Sequence, residues 1–175
     1  MPKLQFKLAT ISDAKVIAEL IHSAYREVGS RAGWTTEEHL VDGERVSTKE
    51  VEEIIQQAHS FFILAVVENQ IQGCVHFKHE SAQISYLGLL AVKPKLQARG
   101  LGKALILEVE RMAHESGRAI IRMTVIDVRS ELISFYQRRG YQLTGVVVPF
   151  PLPELMKKKE ISLLEMQKDL KASYT

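Results

Sequence analysis

The segment best suited to chemistry is residues 97–104, Gln-Ala-Arg-Gly-Leu-Gly-Lys-Ala, which lies between a predicted strand and a predicted helix. Its two glycines, Gly100 and Gly102, let the backbone turn tightly and approach a ligand closely. The first amides of a helix have no partners within the helix, and the helix dipole adds partial positive charge at the same end. Arg99 and Lys103 strengthen that positive field. The segment therefore predicts a cradle of backbone amides for a phosphate or pyrophosphate.

Two common phosphate-binding motifs do not fit this segment. A P-loop reads Gly-x-x-x-x-Gly-Lys-Ser/Thr, but here Gln97 stands at the first glycine and Ala104 at the magnesium-binding hydroxyl. A dinucleotide fingerprint reads Gly-x-Gly-x-x-Gly and belongs to the first strand of a sheet. Leu105 stands at its third glycine, and the segment lies in the middle of the chain. A nucleotide triphosphatase and a dinucleotide-dependent enzyme are both disfavoured.

The periodicity of apolar residues predicts the elements that position the cradle. Helices are expected over 12–28, after the capping box of Ser47 and Glu50, over 101–116 and over 131–139. Strands are expected over 4–8, 61–67, 71–78, 82–92, 119–126, 141–148 and 161–169. A short polar link predicts an antiparallel hairpin of the second and third strands, and Gly88 inside the fourth predicts a bulge or a close backbone approach.

The predicted fold class is mixed α/β. The strand at 82–92, the helix at 101–116 and the strand at 119–126 form one right-handed parallel β-α-β crossover. The remaining strands are expected to pair mostly antiparallel, which gives a largely antiparallel central sheet flanked by helices.

The composition limits the class of protein. The chain has 175 residues, 46% of them apolar, and a formal net charge of +2, which favours one compact domain over residues 1–175. No apolar run approaches the roughly 18–20 residues that cross a bilayer. The balance of 23 basic and 21 acidic residues disfavours a nucleic-acid binder. The single cysteine, Cys74, excludes an intramolecular disulfide and fits a reducing compartment, so a cytoplasmic location is expected.

Two segments resemble the GNAT superfamily of acetyl-CoA-dependent N-acyltransferases. Residues 97–102 read Gln-x-x-Gly-x-Gly after a strand that ends in Ala-Val-x-Pro, which resembles the coenzyme A-binding segment of that superfamily. Residues 135–141, Phe-Tyr-Gln-Arg-Arg-Gly-Tyr, resemble its closing helix-to-strand segment. The order of predicted elements also matches over about residues 3–148. Thr-Gly at 144–145 followed by Pro-Phe-Pro at 149–151 resembles one large, poorly specified branch of the superfamily.

The resemblance implies roles for particular residues. The end of strand 82–92 would give backbone hydrogen bonds to the pantetheine amides, like an added strand, and the amides of the cradle would hold the pyrophosphate. The coenzyme-binding residues implied in this way are Leu90, Ala91, Val92, Gln97, Ala98, Arg99, Gly100, Leu101, Gly102, Lys103 and Ala104. Tyr136 falls where the family often places a tyrosine near the coenzyme sulfur, and there it could protonate the leaving thiolate as a general acid. The alternative is that Tyr136 is an amphipathic aromatic of the core.

The chain departs from the family where a general base is expected. Arg129 stands where many members have an asparagine, and no acidic residue lies between Gln83 and Lys93, where members commonly carry a glutamate. Asp127 and Glu80 are substitute candidates for the base, although either can be an ordinary loop carboxylate. Water could also take the proton, because much of the rate of acyl transfer comes from positioning.

Nucleophilic cysteine and metal chemistry are both disfavoured. Cys74 lies within an apolar strand, where a free cysteine is commonly inert. His76 and His79 are three residues apart on a strand and so point to opposite faces. The chain contains neither His-Glu-x-x-His nor Cys-x-x-Cys, so no catalytic metal is predicted.

The resemblance implies that the first helix and the connection that follows it form the wall of the acceptor cleft. The polar and aromatic candidates there are Tyr25, Arg26, Arg31, Trp34, Glu37, Glu38 and His39. Tyr86 in the central strand is a further candidate for substrate contact. The adjacent carboxylates Glu37 and Glu38 would suit a cationic amine, or they are solvated residues at a helix start.

The preferred hypothesis is an N-acetyltransferase that moves acetyl from acetyl-CoA to a primary amine of a small molecule or peptide by direct attack. A non-catalytic module that binds or senses acyl-CoA is the alternative, and an interaction domain without a cofactor is a third hypothesis. Partners are expected to include neither nucleic acid nor a membrane. A homodimer is plausible because the edge strands of such a sheet need covering.

Overall fold

The computed structural model describes residues 2–25, 39–96, 99–157 and 160–173. The helices in these ranges are α1 (Ala14–Tyr25), α2 (Thr48–Gln56), α3 (Leu101–Glu115) and α4 (Ser130–Gln137). The strands are β1 (Gln5–Leu8), β2 (Ser60–Val67), β3 (Gln70–His79), β4 (Ile84–Val92), β5 (Ile120–Ile126), β6 (Gln142–Pro149) and β7 (Ser162–Asp169).

The described strands form one sheet in the order β1-β2-β3-β4-β5-β7-β6. Only β4 and β5 pair in parallel, and every other neighbouring pair is antiparallel. The helix between β4 and β5 is α3, as expected for a β-α-β crossover. The predicted mixed α/β fold with a largely antiparallel sheet is therefore confirmed.

The parallel pair separates after a short contact. The register joins Ile84–Tyr86 to Ile120–Arg122 and then stops, although both strands continue. On its other side β4 has one more residue than the segment of β3 that it faces. Gly88 pairs with His76 and Ala91 pairs with Cys74, so an interval of three residues in β4 lies opposite an interval of two in β3. Leu89 in this bulge has a φ of +48°, in the left-handed region that side chains other than glycine rarely adopt. The bulge bends β4 away from β5 and leaves a cleft between them.

Apolar cores fill both faces of the sheet. On one face Leu105, Ile106 and Val109 of α3 pack with inward side chains of the central strands, and all three are at most 1% exposed. On the other face α1 packs Ile17 and Ile21 onto β2, β3 and β4. The cleft therefore opens between strands that are held from both sides.

Local sequence signals account for the connections. Ser47 and Glu50 form the predicted capping box, with the Ser47 N–H donating to Glu50 Oε2 at 2.7 Å. The link between β2 and β3 is Glu68 and Asn69, both with positive φ, as a tight hairpin requires. Predicted boundaries differ by a few residues. The helix predicted over 131–139, for example, is Ser130–Gln137 in the structure.

A buried ion pair ties α3 to β7. The Lys168 ammonium donates to Glu110 Oε2 at 2.9 Å, and the Tyr141 hydroxyl donates to Glu110 Oε1 at 3.1 Å. Glu110 is only 2% exposed, so these two donors replace the water that its carboxylate loses. No helix within the described ranges is long and apolar enough to cross a membrane.

Candidate functional site

The cleft between β4 and β5 contains a cavity of about 150 Å³. Its walls come from α1, β4, β5, α4 and the connection between β6 and β7. The lining residues are Tyr25, Val41, Glu44, Arg45, Tyr86, Leu87, Gly88, Leu89, Leu90, Met123, Thr124, Val125, Ile126, Leu132, Tyr136, Phe150, Pro151, Leu152, Leu155 and Leu163. This inner cavity combines an apolar wall with three phenol groups.

The three tyrosines of the inner cavity have different environments. The Tyr25 hydroxyl donates to the Leu90 carbonyl oxygen at 2.6 Å. The Tyr136 hydroxyl has no hydrogen-bond partner among the described residues, and its residue is 6% exposed. Burial raises the pKa of Tyr136, and the neighbouring phenols of Tyr25 and Tyr86 raise it further. Tyr136 therefore stays protonated and is suited to donating a proton rather than accepting one.

The edge of β4 that borders the cleft faces away from β3. The Lys93 N–H donates to the Gln72 carbonyl of β3 at 3.0 Å, so by the alternation of a strand the groups of Leu90 and Val92 point the other way. Beyond Tyr86 no β5 residue pairs with this edge. It can accept an extended ligand as an added strand. Ala91 lies opposite Cys74 in β3, and the Leu90 carbonyl already receives the Tyr25 hydroxyl.

The cradle lies directly after β4. A turn over Pro94–Leu96 leads to Gly100, the residue that caps α3. Gly100 has a φ of +81°, and a Cβ placed on it would meet no atom within 4 Å. The first bond of the helix runs from the Ala104 N–H to the Gly100 carbonyl at 3.0 Å, so the amides of residues 101–103 remain open for an anion.

The charges beside the cradle are positive. Arg99 and Lys103 are exposed, and no carboxylate among the described residues pairs with either. Gly102 is buried and Leu101 is half-buried. Gln97 and Ala98 lie outside the described residues. The open amides, the positive side chains and the edge of β4 that is not paired with β5 thus meet at the carboxyl end of that strand, where ligands bind in open α/β sheets.

The two candidate bases lie in different surroundings. Glu80 forms a two-point ion pair with Arg122, at the end of the cleft where β4 and β5 are still paired. Asp127 follows β5, where its N–H donates to the Ser162 carbonyl at 2.9 Å. Its Oδ1 atom is enclosed and has no hydrogen-bond partner among the described residues. Neither carboxylate lines the inner cavity, and both assignments stay predictions.

Arg129 is buried at the start of α4. It is 3% exposed, and its Nε atom donates to Glu131. Burial is the largest single effect on the pKa of Glu131 and raises it, but the hydrogen bond and charge of Arg129, together with a backbone hydrogen bond, lower it overall. The guanidinium is thus held in place at the carboxyl end of β5.

The cysteine and histidines do not form a reactive cluster. Cys74 is fully buried, and burial raises the pKa of its thiol to about 12. Burial lowers the pKa of His76 to about 4, with a smaller effect from Lys78. His76 packs on Phe62 and His79 on Phe61, on opposite faces of the sheet as predicted. Within the described ranges no three metal-ligating side chains come together.

A second cavity lies beside the first. This outer cavity has a volume of about 370 Å³, and its lining residues are Arg45, Val46, Glu50, Glu53, Ile54, Gln57, His76, Tyr86, Gly88 and Leu89. Four of these residues also line the inner cavity. Tyr86 therefore stands at the boundary between the two spaces.

Some of the predicted acceptor residues line the inner cavity, and other lining residues were not predicted. Tyr25 and Tyr86 line the inner cavity, whereas Arg26, Arg31, Trp34, Glu37 and Glu38 lie outside the described residues. His39 lies in a turn. The apolar wall from Phe150 to Leu155 was not predicted as part of the site. Its signal is a stretch rich in proline and apolar residues directly after a strand.

The comparisons with known proteins agree with this geometry. The family model for the acetyltransferase (GNAT) domain matches residues 21–170. No curated protein matches the chain. An N-acetyltransferase from Staphylococcus aureus has a similar structure, with a TM-score of 0.75, 11% identity and coverage of 96% of this chain and 98% of that one.

Two further solved structures share the fold. The ribosomal-protein-S18-alanine N-acetyltransferase from Escherichia coli has a TM-score of 0.72 and 14% identity, covering 96% of this chain and 94% of that one. A GNAT family acetyltransferase from Elizabethkingia anophelis, whose structure holds acetyl-CoA, has a TM-score of 0.69 and 12% identity, covering 95% and 97%. Because the family model spans most of a chain that has this fold and this cleft, the protein belongs to the GNAT family of acetyltransferases.

Proposed function

We propose that this protein transfers an acetyl group from acetyl-CoA to a primary amine of a small molecule or peptide. The observation that supports the proposal best is the meeting of three features at the carboxyl end of β4. These features are the edge of β4 with which no β5 residue pairs beyond Tyr86, the open amides of residues 101–103 and the Tyr136 hydroxyl.

The residues present fit the coenzyme. The amides of residues 101–103, with Arg99 and Lys103 beside them, would hold the pyrophosphate. The backbone of Leu90 and Val92 would bind the pantetheine arm along the edge of β4. When bound, acetyl-CoA supplies the acetyl thioester and leaves as the thiol.

The inner cavity supplies a proton donor for that thiol. Tyr136 is neutral because burial raises its pKa, so its O–H is available to protonate the departing sulfur. Donation by a neutral phenol avoids placing a charged acid in a buried, largely apolar cavity.

The proposed acceptor enters the inner cavity with an apolar group beside its amine. Phe150, Leu152 and Leu155 form the wall against which that group would pack. The E. coli structure named above is an N-acetyltransferase for an alanine of a ribosomal protein, so peptide acceptors belong in the same test as small amines. A cytoplasmic location, where acetyl-CoA is available, is part of the proposal.

A non-catalytic acyl-CoA-binding module is the second candidate function. It is favoured by the absence of any carboxylate on β4, which leaves no acidic side chain on that strand to take the proton of an amine. The two functions differ in turnover and not in coenzyme binding.

The test is release of free thiol from acetyl-CoA in the presence of an amine. The amine panel contains phenethylamine, spermidine and the dipeptide Ala-Phe, and each reaction is compared with a control lacking amine. The transferase predicts thiol release that depends on both the amine and the protein. Coenzyme binding without any amine-dependent release would favour the binding module.

A further inference from the structure

We propose that the Tyr86 hydroxyl relays the proton of the attacking amine from the inner to the outer cavity, and that Gly88 positions it for this role. The inference rests on the proposed function and names a catalytic residue and a positioning residue for it. It follows from the place of Tyr86 between the two cavities and from the fit of its ring against Gly88.

The ring of Tyr86 occupies the space that a side chain at Gly88 would need. A Cβ on Gly88 would lie 2.8 Å from Tyr86 Cε1 and 3.4 Å from its hydroxyl oxygen. A carbon–carbon distance of 2.8 Å is well inside van der Waals contact. Any residue larger than glycine at position 88 therefore forces the phenol to move.

Two cations hold the ring from the neighbouring strands. Lys78 of β3 and Arg122 of β5 lie opposite Tyr86 in the register. Their charged groups lie 5.9 Å and 5.3 Å from the ring centre, within the range of cation–π contact. Arg122 is itself fixed by ion pairs to Glu80 and Glu165. The ring is thus held in a rigid row of side chains across three strands.

The hydroxyl of Tyr86 is free to take part in a relay. It makes no hydrogen bond to any described residue, although the ring around it is held on three sides. Tyr86 lines both the inner cavity, which also contains Tyr136, and the outer cavity. No carboxylate lies on β4, so the phenol is the polar side chain that this strand offers at the boundary of the cavities.

Every proton moved in the relay has a donor and an acceptor. The amine nitrogen forms a bond to the acetyl carbon while the carbon–sulfur bond breaks. The Tyr86 oxygen accepts the proton that the nitrogen loses, and its own hydroxyl proton passes to water in the outer cavity. The sulfur gains one proton from Tyr136, which is later restored from solvent. Tyr86 ends the cycle as the neutral phenol, and the products are the amide and coenzyme A thiol.

The first experiment is Tyr86→Phe, which keeps the ring and removes the hydroxyl. With the amine of the panel that gives the fastest thiol release, we expect kcat to fall roughly 100-fold, the lower end of what a positioned proton transfer contributes. The KM for acetyl-CoA should stay unchanged, because the hydroxyl does not touch the cradle. Equal kcat in the variant and the wild type would overturn the relay while leaving the transferase intact. Absence of turnover in the wild type with all three amines would overturn both.

The second experiment is a double-mutant cycle with Gly88→Ala and Tyr86→Ala. Gly88→Ala should lower both the melting temperature and kcat in the wild-type chain, because the added methyl displaces the phenol. In the Tyr86→Ala chain the atoms nearest to that methyl are absent, so the same change should alter neither quantity further. Equal losses in the two backgrounds would overturn the positioning role of Gly88. The melting temperatures give this result even without a turnover assay.

Discussion

Tyr136 is the residue whose chemistry depends most on its burial. A phenol whose pKa is raised binds its proton more tightly in the folded chain, so it stays neutral through the ordinary pH range. A raised pKa also makes it a weak acid, so it gives up its proton only as negative charge develops on a sulfur that is buried in the same cavity. The role of Tyr136 as an acid therefore needs the aligned complex and does not depend on bulk pH.

Tyr136→Phe should lower kcat for amine-dependent thiol release by roughly 100-fold. It should leave the KM for acetyl-CoA unchanged, because the coenzyme is held by the backbone of β4 and the amides of residues 101–103, which the substitution does not alter. Steady-state kinetics against acetyl-CoA check both quantities. An unchanged kcat would remove the assignment of the acid and reduce Tyr136 to an aromatic of the core.

The chemistry of single residues could be predicted only where it depends on local sequence. The Gly100 and Gly102 cradle follows from a glycine pair before a helix, and the structure has the expected helix start there. The close approach at Gly88 was predicted without its partner, which is the ring of Tyr86 two residues earlier. That contact depends on a ring orientation set by Lys78 and Arg122, which belong to distant parts of the chain.

Among the elements, helices and strands were predicted well because each has its own periodicity. The separation of β4 from β5 was not predicted, since it depends on the bulge at Leu89 and on the register with β3. Val16 illustrates the limit of a helical pattern, because this apolar residue of α1 is 45% exposed.

The contact of α3 with β7 should depend on Lys168. Lys168→Ala would leave the buried Glu110 carboxylate without its cation, and breaking such a pair costs about 3–5 kcal/mol of unfolding free energy. Arg111→Ala on the same helix is the matched control, because the Arg111 side chain is 48% exposed and its pairs with Glu108 and Glu115 should contribute at most about 1 kcal/mol. Urea unfolding of both variants checks the difference, and equal losses would contradict the account.

The edge strand β6 is the element expected to carry a homodimer. Leu143, Val146 and Val147 are 46–60% exposed, and residues 142–153 contain no charged side chain that would block pairing with a second copy. Val147→Lys should therefore shift a dimer to the monomer in sedimentation velocity. Leu107→Lys, on an exposed site of α3, should leave the dimer intact. A wild-type chain that sediments as a monomer would contradict the prediction.

For the whole molecule, the small net charge is compatible with binding a highly charged coenzyme. The 23 basic and 21 acidic residues nearly cancel, but Arg99 and Lys103 lie next to open helix amides at the end of β4. Positive potential is thus concentrated where an anion would lie, and a global excess is not required.

The most direct test is titration calorimetry of acetyl-CoA into the wild type, Gly100→Val and Gly117→Val. Both glycines have a φ near +80° and no atom within 4 Å of an added Cβ, but Gly100 caps the start of α3 and Gly117 follows its C-terminal cap. They should therefore share the same backbone strain, and only Gly100→Val should lose binding. Saturating acetyl-CoA, at about 100 times its Kd, should raise Tm by roughly 5–10 °C in the wild type and in Gly117→Val. Undiminished binding by Gly100→Val, or no binding by the wild type, would contradict the account.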